Sequence, residues 1–109
     1  MNYLRIIINK FSEWLQSEYE YIYVNEFPQK INVNKIYIVG ESEMPWVLAF
    51  MCPCGCNNLI QLNLLQDAEP RWKFRIDKQK KIYISPSVWR IKGCQSHFFI
   101  RKSKIHWIK

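Results

Sequence analysis

No run in this 109-residue chain approaches the ~20 consecutive apolar residues of a membrane helix. The start, Met1-Asn2-Tyr3-Leu4-Arg5, leads into an apolar patch that Asn9, Lys10 and Glu13 interrupt, and no small-residue cleavage site follows. These absences predict a cytoplasmic protein with no signal peptide and no membrane partner. Repeats and low-complexity stretches are missing as well. Acidic residues are scarce beyond position 70, where Asp77 stands alone among basic residues running from Arg71 to Lys109. Glu13, Glu18, Glu20, Glu26, Glu41 and Glu43 gather instead in the N-terminal part, so the formal charge of +7 is polarised. No carboxylate falls in a recognisable catalytic motif, since Asp67, Glu69 and Asp77 are isolated. Histidine is rare too, with only His97 and His106.

Aromatic and apolar residues are plentiful: 49% of the chain is apolar, with five Trp, six Tyr and six Phe. One domain of this size has material for a core but buries a modest share of its surface, so an added staple such as a metal would help it. Leu4, Ile7, Ile8, Phe11, Trp14 and Leu15 recur at helical spacing and predict an amphipathic helix over 3–17. From Tyr19 the pattern changes to strand formers. Strands are expected at 19–24, 35–39, 46–51, 59–64, 71–76, 82–84, 97–100 and 105–108, with Ser85-Pro86-Ser87 breaking the sixth. The expected architecture is mainly β (a β-rich α+β class). A small antiparallel sheet is built around a two-loop metal site of zinc-ribbon or Rieske-like type, with an N-terminal helix over 1–18 and a core over 19–109. The single domain spans 1–109.

The four cysteines occupy two places. Three lie in Cys52-Pro53-Cys54-Gly55-Cys56 and the fourth opens Cys94-Gln95-Ser96-His97. In a cytosolic chain such clustering points to a metal and not to a disulfide framework. Zinc takes four Cys or His ligands in a tetrahedron, commonly as short-spaced pairs from two loops, so one Zn2+ is expected. Pro53 and Gly55 suit a tight turn, and Asn57 tolerates the left-handed conformation. Two ligand sets are open. Two of Cys52, Cys54 and Cys56 with Cys94 and His97 avoids crowding and is favoured; all four cysteines would leave His97 free. Cys-x-Cys and Cys-x-x-His loops resemble those of Rieske proteins, but Cys54 stands where a Rieske histidine would be, which disfavours a two-iron cluster.

These motifs fall in a fixed order: Cys52-Pro53-Cys54-Gly55-Cys56, a strand, Trp72, Pro86-Ser87, Cys94-x-Ser96-His97, an aromatic strand and Trp107. The order resembles a small bacterial and phage family of unknown function over roughly 19–109. Asn57 departs from its usual glycine, and His106 is outside its pattern. The resemblance implies a role beside ubiquitin-like proteins and their E1- and E2-like enzymes, which are frequent neighbours of such genes, in modification or phage defence. It also implies that the modifier is bound or processed.

A hydrolase would need a nucleophile, a base and oxyanion donors. Ser87 and Ser96 are the hydroxyls in the motif, with Ser85 nearby, and His97 is the only motif histidine. It can serve as base only if it is not a ligand; otherwise Lys81 or Lys92 would have to act. The competing expectations are a turn-capping Ser87 and a Ser96 bonded to a ligand sulfur. Arg71, Lys73, Arg75, Arg90, Lys92, Arg101 and Lys102, interleaved with Trp72, Phe74, Trp89 and Trp107, keep a nucleic-acid-binding module open. A homo-oligomer through the N-terminal helix is the third expectation.

Overall fold

The computed structural model describes residues 18–91 and 93–108, and every regular element among them is a strand. In chain order they are β1 (Glu20–Val24), β2 (Lys35–Glu41), β3 (Met44–Met51), β4 (Leu59–Asn63), β5 (Lys73–Ile76), β6 (Ile82–Trp89), β7 (His97–Arg101) and β8 (Lys104–Trp107). They form two four-stranded sheets, ordered β1-β2-β3-β4 and β5-β6-β7-β8. All neighbours are antiparallel except β1 and β2, which run parallel.

Two expectations are corrected here. The described residues are all-β in two sheets, where one small antiparallel sheet with an N-terminal helix was anticipated. The residues of that helix, 3–17, lie outside the described ones. The second correction concerns Ser85-Pro86-Ser87, which does not end the sixth strand: β6 runs through it to Trp89. Among the described residues no helix is long and apolar enough to cross a membrane.

The period-two pattern of β2 explains how the sheets meet. Its Ile36 and Ile38 point to one side, into a core shared with Leu48, Phe50, Ile60 and Leu62 of the first sheet and Ile82, Ile84, Phe98 and Ile100 of the second. The rings of Phe50 and Phe98, one from each sheet, meet edge-on with centroids 6.3 Å apart, a favoured aromatic geometry. Tyr37 and Val39 point to the other side and pack with Ala49, Val47 and Ile31 in a smaller cluster. A strand buried on both faces needs this unbroken apolar run. Ser103 ties the second sheet together from the β7–β8 turn. Its buried hydroxyl accepts from the Ile82 N–H at 3.0 Å, and its carbonyl accepts from Tyr19 N–H at 2.6 Å. Glu18 forms an ion pair with Lys81 beside that junction.

Candidate functional site

The loop between β3 and β4 carries Cys52, Cys54 and Cys56, and the loop between β6 and β7 carries Cys94. The chain turns tightly at both places. Gly55 has φ of 88°, a conformation that residues with a Cβ rarely adopt, and Asn57 has φ of 64°. Asparagine is among the few other residues that tolerate this left-handed region, so Asn57 can stand where the resembling family has glycine. Cys52 N–H donates to Asn58 carbonyl at 2.9 Å and closes the first loop at its base.

All four sulfurs lie within 4.8 Å of one another, with Cys52 Sγ 3.4 Å from Cys54 Sγ and 3.6 Å from Cys94 Sγ. Disulfide sulfurs would be ~2.05 Å apart. Sulfurs at the corners of a tetrahedron with zinc–sulfur bonds of ~2.3 Å are about 3.8 Å apart, so the donors fit a metal ion of that kind. Burial pushes the Cys52 thiol up to about 12, while the Ser96 hydroxyl and backbone bring Cys94 down to about 6. Ser96 also lowers Cys54. One end of the cluster thus favours thiolate and the other is shielded. Tyr19, held above its usual range by burial and by the neighbouring Cys52, belongs to the same core cluster as that cysteine.

The residues that the fold gathers differ from the favoured ligand set. The group of potential metal ligands consists of the four cysteines, and His97 is not in it. Its Nε2 instead lies 2.8 Å from Ser87 Oγ. Ser96 Oγ lies 3.1 Å from Cys94 Sγ, so the hydroxyl of that serine is engaged by sulfur. Asp77 sits in the β5–β6 turn, where its carboxylate accepts from the N–H groups of Gln79 and Lys81. Neither Asp67 nor Glu69 joins the cysteine group, and both are exposed on the segment after β4. Lys81 is taken by Glu18, and Lys92 lies outside the described residues.

The strand ladder explains why Ser87 meets His97. β6 pairs with β7 at Ile84↔Ile100 and resumes at Val88↔Phe98, so Ser85, Pro86 and Ser87 oppose only Phe99. Such a bulge re-aims side chains, and bulges are over-represented beside active sites. On the other edge the pairing with β5 stops at Ser85. Ser87 therefore has no register partner on either side. Two tryptophans hold the pair. Trp89, which opposes His97 in the ladder, stacks on its ring at 5.1 Å and 16°. The Trp72 indole N–H donates to the Ser87 carbonyl at 3.4 Å. With a proton on Nδ1, Nε2 accepts from the Ser87 hydroxyl, the arrangement of a nucleophile and its base. Among the described residues no carboxylate bonds to His97, and the Trp89 stack orients the ring in its place.

Sequence reasoning named Ser87 and His97 but missed the part played by Trp72 and Trp89, which it grouped with the basic residues as base-stacking candidates. The motif position of Trp72 was a signal; the Trp89–His97 contact follows from cross-strand register and had none. Other aromatic faces of the basic region are covered too. Arg75 lies 3.8 Å above Tyr83 and Arg101 4.3 Å above Phe99.

Residues 23–108 match the family model described as bacterial ubiquitination-like system serine protease, BubE. Neither a search of curated proteins nor one of solved structures finds a match.

Proposed function

Because the chain belongs to this family of bacterial ubiquitination-like systems, we propose that it is a serine peptidase that cleaves the ubiquitin-like protein of its system from a precursor or a conjugate. The observation that carries the reading is the 2.8 Å contact between Ser87 Oγ and His97 Nε2 in a partly exposed position. In the first step Ser87 Oγ attacks the scissile carbonyl and its proton passes to His97 Nε2. His97 then gives that proton to the leaving nitrogen as the C–N bond breaks, leaving an ester on Ser87. Water, deprotonated by His97, attacks the ester, and the proton returns to Ser87 Oγ.

In this reading Cys52, Cys54, Cys56 and Cys94 hold one zinc ion. Held by four sulfur ligands, such an ion would supply a cross-link between loops of the two sheets. That link would fix Cys94 three residues before His97, in a turn where Ser96 is bonded to Cys94. The setting we infer is the cytoplasm, with the modifier and its E1- and E2-like enzymes as partners and phage defence as the context.

The test is incubation of the purified, metal-loaded protein with the precursor of its ubiquitin-like protein, read by intact mass. Wild type is expected to release the segment beyond one bond, and Ser87→Ala to release none. Failure of wild type to cleave the precursor or any conjugate would sink the peptidase reading. Binding of nucleic acid at low salt, lost as salt is raised, together with that failure would favour the basic-module alternative.

A further inference from the structure

We propose that the slot between β4 and the end of β6 takes an extended peptide, about four residues long, added as a strand to the free edge of β4. The orientation of that peptide towards Ser87 rests on the peptidase reading above. The slot itself rests on the backbone. Its volume is about 330 Å³, and it is lined by Leu59, Ile60, Gln61 and Leu62 on one side and Val88, Trp89, Arg90 and Ile91 on the other. A cavity over the face of a strand would be lined by every second residue, because successive side chains point to opposite faces. Four consecutive residues on the β4 side mean that the edge of that strand lines the opening, while the facing wall is the end of β6, Val88 and Trp89, with Arg90 and Ile91 just beyond it.

The edge that receives the peptide is that of β4. β4 is the outer strand of its sheet, and β6 loses its β5 partner after Ser85. Unpaired edge N–H and C=O groups are a template for a further strand. One end of the slot is closed by Trp72, whose backbone N–H donates to Asn63 carbonyl at 2.8 Å and whose indole holds the Ser87 carbonyl. A strand lying along β4 therefore ends beside Ser87. At the other end stands a buried donor without an acceptor. Arg90 Nη1 is buried without a hydrogen-bond partner, and Arg90 Nη2 and Asn58 Nδ2 both lie within 4.0 Å of the place a Gly93 side chain would fill. Peptide carbonyls are the acceptors that this end lacks. At ~3.3 Å per residue, the four lining residues of β4 span about 13 Å, which sets the length of the segment held.

The test measures binding separately from cleavage. Ser87→Ala protein is titrated with a fluorescent peptide copying the C-terminal tail of the system's ubiquitin-like protein, and with versions N-methylated at one backbone amide each. Strand addition predicts that N-methylation weakens binding by about tenfold or more at alternate positions only, since alternate amides face the partner strand. Hydrogen exchange should slow at residues 59–62 when the unmodified peptide is bound. Ile91→Asp, at an exposed rim position, should weaken binding without lowering the melting temperature. Equal affinity for every N-methylated peptide, no binding of the unmodified peptide, or protection confined to another strand would overturn the slot. Wild-type cleavage of the full precursor is read in parallel. Its absence beside normal strand-like binding would sink only the peptidase reading.

Discussion

If Ser87 and His97 act as one unit, removing either should destroy what both contribute. The perturbation is the set Ser87→Ala, His97→Gln and the double variant. A positioned general base contributes about 10²–10⁴-fold, which at 1.36 kcal/mol per tenfold corresponds to about 3–5 kcal/mol of barrier. The 2.8 Å contact and the stacked Trp89 give His97 the placement needed for that full effect. His97→Gln should therefore lower kcat by about 10²–10⁴, and Ser87→Ala by at least as much. Groups that act together are non-additive, so the double variant should be no slower than Ser87→Ala within a factor of about three. Single-turnover cleavage of the precursor under saturating enzyme gives the rates. Both side chains are only partly buried, so melting temperatures should stay close to wild type and exclude unfolding as the cause. Losses that multiply in the double variant, or a Ser87→Ala protein with wild-type rates, would refute the pair. Residual activity lost only in Ser96→Ala would move the nucleophile to the other motif serine.

The metal site and the turn carboxylate give two further expectations. Elemental analysis should find one zinc per chain, and a strong chelator should lower the melting temperature; an ion present at 1,000 times its dissociation constant stabilises by about 4 kcal/mol. No change on chelation would remove the cross-link. Cys94→Ser should show the same loss, because it severs the link between the two loops. Asp77 is held below the usual carboxylate range, first by the Lys81 backbone N–H and then by the Gln79 N–H and the Tyr83 hydroxyl. A depressed folded value adds stability above the unfolded value of ~3.9 and loses it as pH falls through the folded one. Denaturation curves of wild type and Asp77→Ala should therefore differ at neutral pH and converge below about pH 4; a gap that widens in acid would contradict this sign.

Local chemistry determined much of the molecule from sequence alone. The clustering of Cys52, Cys54 and Cys56, with Cys94 apart, marked these residues as candidate metal donors, with His97 a fifth candidate that spacing alone did not separate from them. Runs of strand-forming residues placed eight strands near their observed positions, although the sixth was cut short at Ile84. Ser87 and His97 were legible as candidates by their residue types and motif order. Tertiary structure decided what these residues do to one another. Two sheets instead of one, and the parallel pairing of β1 with β2, depend on contacts between distant segments that no local pattern encodes. Ser85-Pro86-Ser87 carries the signals of a strand break, yet the core residues Ile84 and Val88 on either side keep the segment in the sheet and turn the break into a bulge. That bulge, with register placing Trp89 opposite His97, sets the histidine on Ser87 and away from the sulfurs. Which of the five candidate ligands converge was a question of distance: the fold brings the four cysteine sulfurs within 4.8 Å of one another and sets His97 beside Ser87.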